Sequence, residues 1–170
     1  MGAIFLPRRR LLVLAVPAVL AGCGFRLRGT PNFSFSTIQV NGAENSALVN
    51  ELRQSIASGS NIRVLPAGTP AEQVQVVLDV LTDQREKVVV GLSASGQVRE
   101  FQLRTRLRFR LRTPQGKELI PDTELLQQRD ISYNESAALS KEAEEGLLYR
   151  DMQTDIVQQL LRRLAAVKSL

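Results

Sequence analysis

Side chains able to do covalent or acid–base chemistry are scarce in this 170-residue chain, which has no histidine and a single cysteine, Cys23. The commonest general base and the usual zinc ligand set are therefore missing, and enzyme chemistry would rest on carboxylates, serine and lysine. Asp79 with Asp83 and Glu86 forms one carboxylate grouping, and Glu142 with Glu144 and Glu145 forms another. The second opens a helical pattern, where acids complement the backbone dipole without any chemistry. Ser93 and Ser95 lack both a Gly-x-Ser-x-Gly setting and a histidine to activate them. No catalytic or metal site assembles from these parts, and no resident cofactor is expected.

Permanent positive charge is what the sequence concentrates. Arg104, Arg106, Arg108, Arg110 and Arg112 occupy every second position, with Leu103, Leu107, Phe109 and Leu111 filling most of the gaps. In a strand this puts all five guanidiniums on one face and the apolar set on the other. Guanidinium binds phosphate and carboxylate bidentately, so the ladder suits a phosphorylated glycolipid or an acidic protein wall. It equally suits a wet sheet face offset by cross-strand acids such as Glu124, Asp130 or Asp79, and both readings stay open. The stacking aromatics of a single-strand nucleic-acid surface are absent from the run.

Cys23 gains a use from its position. Arg8-Arg9-Arg10, an apolar run over 11–20 and Leu20-Ala21-Gly22-Cys23 make a secretory signal too short to cross a bilayer. The junction resembles the lipobox of bacterial lipoproteins, whose cysteine takes a diacylglycerol and becomes the first residue after cleavage. The expected organisation is a signal peptide at 1–22, a lipidated tether at 23–35 and one domain at 36–170. A diacylglycerol and an N-acyl chain on Cys23 would anchor it stably, at about 0.8 kcal/mol per buried methylene. By the same resemblance, Gly24 in place of an aspartate directs the protein to the outer membrane, facing the periplasm. Loss of 1–22 removes three arginines and no acid, taking the net charge from +5 to +2. Basicity thus gives little support to a nucleic-acid partner.

Hydrophobic periodicity supplies the scaffold. Phe25 and Leu27 alternate with arginines in the tether, and Ile38 and Val40 mark a strand over 36–40. Leu48, Leu52 and Ile56 give a first helix between Asn45 or Ser46 as N-cap and Gly59 as stop. A short strand at 62–65 leads into a loop with Pro66 and Pro70. Val74, Val76, Leu78 and Val80 set a strand ending at Leu81, and the valine-rich 85–92 sets another. Ser93-Ala94-Ser95-Gly96 turns the chain into a long strand over 97–112, and Thr113-Pro114-Gln115-Gly116 is a second turn. The last strand covers 124–133. From 140 to 167 Leu148, Met152, Ile156, Leu160 and Leu164 repeat every four residues, with Ser140 as N-cap and Arg162, Arg163 and Lys168 near the end. This order predicts an α+β domain with two helices packed on one face of a mixed or mostly antiparallel sheet.

Cys23-Gly24-Phe25-Arg26-Leu27-Arg28, the Gly96-Gln97 hairpin leading into Glu100-Phe101-Gln102-Leu103, and the closing runs 144–152 and 159–164 together resemble the LptE family of lipopolysaccharide-assembly lipoproteins. The resemblance covers essentially the whole chain after the signal. It implies a two-helix, four-stranded sandwich that plugs the outer-membrane barrel LptD, helps it assemble and binds lipopolysaccharide in transit to the outer leaflet. The family's basic residue at the start of the long C-terminal helix falls on Lys141. A second basic position, before the hairpin's Gly-Gln, falls on Ala94 here, which redistributes basic contacts to Arg99 or the ladder. The expected lipopolysaccharide-binding residues are Lys141, Arg104, Arg106, Arg108, Arg110 and Arg112, and the tip at 91–96 is open between a plain turn and a probe inserted into a partner. A different class stays open: a periplasm-facing accessory lipoprotein that shuttles a lipid in an apolar cavity. It predicts a deep pocket, whereas a plug predicts a filled core and an exposed basic sheet face.

Overall fold

Apolar residues at period two and at period four both need a common layer to bury against, and in the computed structural model they share one. It describes residues 32–59 and 61–169; Cys23, the signal, Phe25 and Leu27 lie outside them. The elements are β1 (Thr37–Asn41), α1 (Ala47–Gly59), β2 (Arg63–Leu65), β3 (Val76–Leu92), β4 (Val98–Arg112), β5 (Glu118–Ser132) and α2 (Ala138–Ala165). The sheet order is β2-β1-β3-β4-β5. β1 runs parallel to β2 and β3, and β3, β4 and β5 form an antiparallel meander. The α+β class with two helices on one face holds, but the sheet has five strands rather than four, because the short 62–65 segment pairs as an edge strand.

The predicted strands ending at Leu81 and starting at Arg85 are one 17-residue strand. Val80 pairs with Phe109 and Thr82 with Arg108, so Leu81 is an extra residue that bulges from β3. The insertion exchanges the two faces: Leu78 and Val80 point toward the helices before it, Asp83, Arg85 and Lys87 after it. A second bulge explains why β5 begins at Glu118 and not Glu124. Pro121 and Asp122 together stand opposite Arg110, a place where a proline interrupts no ladder bond.

Helix starts follow local hydrogen bonding. Ser46 Oγ accepts the Val49 N–H at 3.0 Å and caps α1. Ser140 does not cap α2; its hydroxyl donates to Ala137 O at 2.8 Å inside the first turn. Asn134 takes the capping role one turn earlier, accepting the Ser136 N–H at 3.1 Å and opening a short 3₁₀ turn at Glu135–Ala137 that runs into the helix.

Most of the core is one cluster in which Ile38, Val40, Leu52 and Ile56 meet Leu107, Phe109 and Leu111 of β4 and Ile156, Leu160 and Leu164 of α2. A second, smaller cluster of Leu103, Ile131 and Met152, with Phe101, Leu148 and Tyr149 against it, lies toward the hairpin tip. A polar row crosses the helix-facing side between them: Arg85, Thr105 and Gln127 are cross-strand neighbours. Arg85 Nη2 donates to Gln153 Oε1 at 2.6 Å, and Gln153 Nε2 donates to Glu51 Oε2 at 2.6 Å, linking β3, α2 and α1. Thr105 is fully buried, and its Oγ1 finds no hydrogen-bond partner among the described residues.

A buried hydroxyl without a partner destabilises the fold, so Thr105→Val should raise stability by about 1 kcal/mol in urea unfolding. Gly116, at φ +97°, closes the second turn; Gly116→Ala should lower stability by about 1 kcal/mol in the same measurement.

Candidate functional site

Strand β4 displays its arginines on the face away from the helices, as its alternation dictates. The structure then matches most of them to acids. Asp79 Oδ2 accepts Arg112 Nε at 2.8 Å and Arg110 Nε at 3.0 Å, while its Oδ1 accepts Asn41 Nδ2 at 2.9 Å. Burial alone would raise the Asp79 carboxyl; the hydrogen bonds from Arg112, Asn41 and Arg110 outweigh it and hold the group below the usual carboxylate value. Asp122, presented by the β5 bulge, pairs with Arg108, and Arg106 lies 3.6 Å from Glu124. Arg104 differs. Among the described residues no carboxylate lies within ion-pair distance of it, and its Nε donates to Gln102 Oε1 at 2.8 Å.

Lys141 sits elsewhere, on the helix side of the sheet. It lines an open cleft of about 560 Å³ with Lys87, Phe101, Tyr133, Glu145 and Tyr149. Its Nζ donates to Glu144 Oε2 at 2.8 Å and to Ser132 Oγ at 3.1 Å. Lys87 Nζ donates to Glu145 Oε2 at 2.6 Å and stands 4.4 Å from the centre of the Phe101 ring. Tyr133 meets Phe101 edge to face at 5.3 Å. Tyr149 donates its hydroxyl to Glu86 O at 2.8 Å; burial first, then the charge of Glu145, pushes its ionisation up, so it stays a donor. Gly146 also faces the cleft, and a Cβ built there would meet nothing within 4 Å, leaving the helix backbone open to a ligand. Two ammoniums beside an aromatic floor suit an anionic headgroup on an apolar body.

The predicted binding residues therefore occupy two places, Lys141 in the cleft and the five arginines on the other sheet face. Sequence reasoning missed Lys87, Phe101, Tyr133 and Tyr149. A lysine inside a valine-rich strand was the available signal, but its direction depends on the bulge at Leu81. Arg99 lines a second open cleft with Gly96 and Tyr133 at the hairpin tip. The carboxylate groupings separate: Asp79 faces Arg110 on one side of the sheet, and Asp83 lies opposite Leu107 on the other. Among the described residues no cluster of His, Cys, Asp or Glu could hold a metal, and no helix is long and apolar enough to cross a membrane.

The family model described as LptE, lipopolysaccharide-assembly, matches residues 35–164. A relative from Pectobacterium atrosepticum named LPS-assembly lipoprotein LptE is 28% identical over 94% of this chain and 88% of its own length. The solution structure of a lipoprotein B from Nitrosomonas europaea superposes with a TM-score of 0.72 at 32% identity, covering 84% of this chain and 91% of the other. A rare lipoprotein B from Shewanella oneidensis shares the fold, with a TM-score of 0.65 at 22% identity over 77% of this chain and 95% of that one.

The Asp79 cluster makes stability depend on acid. Because its folded-state pKa is lowered, the stabilisation is fully present above the unfolded value and lost as pH falls through the folded one. Asp79→Asn should cost about 2 kcal/mol at pH 7, and the gap to the parent should close below about pH 4, read by urea unfolding across pH.

Proposed function

This chain belongs to the LptE family of lipopolysaccharide-assembly lipoproteins, and from that membership we propose that it plugs the outer-membrane barrel LptD, assists its assembly and binds lipopolysaccharide bound for the outer leaflet. A lipidated Cys23 would anchor it to the outer membrane on the periplasmic side. No bond of the glycolipid is made or broken; the work is positioning.

The observation that carries the glycolipid half is the cleft, where Lys141 and Lys87 flank Phe101, Tyr133 and Tyr149. Phosphate would meet the ammoniums and the apolar body the rings. Openness to solvent suits a headgroup contact better than carriage of a whole lipid. The plug half is supported by the sheet face, whose alternating charges suit the polar interior of a large barrel. On that face Arg104 is the arginine left to take a phosphate, and Arg106, Arg108, Arg110 and Arg112 order the surface through their own acids.

Affinity purification of the C-terminally tagged full-length chain from detergent-solubilised outer membrane tests both halves. A stoichiometric barrel with lipopolysaccharide alongside is the expected result. Lys87→Glu with Lys141→Glu should keep the barrel and lower co-purified lipopolysaccharide about tenfold. Recovery of the chain alone would overturn the plug, and unchanged lipopolysaccharide in the lysine variant would overturn the cleft.

A further inference from the structure

Both lysines of the cleft are already engaged by acids from consecutive positions of α2. Glu144 holds Lys141 at 2.8 Å and Glu145 holds Lys87 at 2.6 Å, while Glu142 lines the same cleft without an ion pair among the described residues. Two ammoniums and two carboxylates line the cleft, and beside them Glu144 is offset by the Arg85 guanidinium over the Tyr149 ring, so no free positive charge awaits a ligand. An entering anion must take the ammoniums from carboxylates that stay nearby. A headgroup with a single negative charge exchanges one ion pair for another and then faces the carboxylate it displaced, so the exchange gains nothing. A phosphomonoester carries about −1.5 to −2 charges near neutrality and three acceptor oxygens, enough to displace a carboxylate from each ammonium. Glu144, with a side chain 48% exposed, can swing into water; Glu145, at 21%, is held closer and is the stronger competitor.

We infer that Glu144 and Glu145 make the cleft selective for phosphomonoester amphiphiles over singly charged phosphodiester lipids, by occupying the lysines until a more highly charged headgroup displaces them. This rests on the glycolipid reading of the cleft. It adds a discriminating element: in a membrane whose bulk lipids are phosphodiesters, a bare pair of lysines would be saturated by them, and the acids keep the site empty for the scarcer monoester.

The test titrates the full-length chain in non-ionic detergent with dioctanoyl phosphatidic acid and dioctanoyl phosphatidylglycerol, which share acyl chains and differ in headgroup charge. Wild type should prefer the monoester by about tenfold. Glu144→Gln with Glu145→Gln should tighten the diester about fivefold and compress the preference to about twofold, with an unchanged melting temperature. Inorganic phosphate in about tenfold excess should leave the lipid bound, since it lacks the apolar body the floor contacts. Displacement by phosphate would overturn the lipid assignment. If the glutamine variant keeps the wild-type preference while Lys87→Gln with Lys141→Gln loses both lipids, the filter is wrong and the cleft stands. If the lysine variant binds both lipids as wild type does, the cleft reading itself falls and the filter with it.

Discussion

Successive side chains of a strand point to opposite faces, and in β3 one inserted residue, Leu81, exchanges those faces about a third of the way along. Upstream, Val76 and Leu78 fill the core and Asp79 reaches outward to pair with both Arg110 and Arg112. Downstream, Arg85 and Lys87 turn inward under α2 to meet Gln153 and Glu145. Without the insertion, Asp79 and Lys87 would share a face: either the carboxylate would leave the arginines or the lysine would leave the helix. Ion-paired sheet face and cleft both follow from that residue.

The arginine ladder shows how far a pattern differs from a function. Five guanidiniums on one strand repel one another unless acids are interleaved, and the neighbouring strands supply them: Asp79 from β3, Asp122 and Glu124 from β5. The exposed pairs on Asp122 and Glu124 contribute little stability and the buried Asp79 more, and together they fix the side chains of a polar surface on which three carboxylates partner four guanidiniums. Arg104 makes no ion pair among the described residues although Glu86 stands opposite it on β3; its Nε turns to Gln102 instead, and its neighbour on β5 is Gln128. Cleft and ladder thus deal with excess like charge in the same way, by intramolecular carboxylates.

Much of the fold was legible where one period runs unbroken. The four-residue repeat of α2 and the two-residue repeat of β4 read directly, and so did the two turns, where Ser93 and Thr113 accept from the N–H four residues on and Gly96 and Gly116 supply positive φ. Legibility failed wherever a period changed phase. The bulge at Leu81 made one strand look like two, and Pro121 hid the start of β5. The cap at Asn134 escaped because a 3₁₀ turn precedes the helix. Of the cleft, Lys141 was reached through resemblance alone, and Lys87, invisible by type, required knowing which way β3 faces after its insertion.

The polar row of Arg85, Thr105 and Gln127 divides a large apolar base from a small apolar arm, and the arm carries the cleft. Local opening costs less where fewer apolar groups are buried, so the two parts differ in cooperativity. Amides of β1, α1 and the second half of α2 should therefore exchange with solvent only when the whole domain opens, and those around Leu103 and Ile131 through a cheaper, partial fraying that leaves the base intact. A ligand bulkier than the resting cleft can therefore be admitted by loosening the arm alone, on a footing that stays folded throughout.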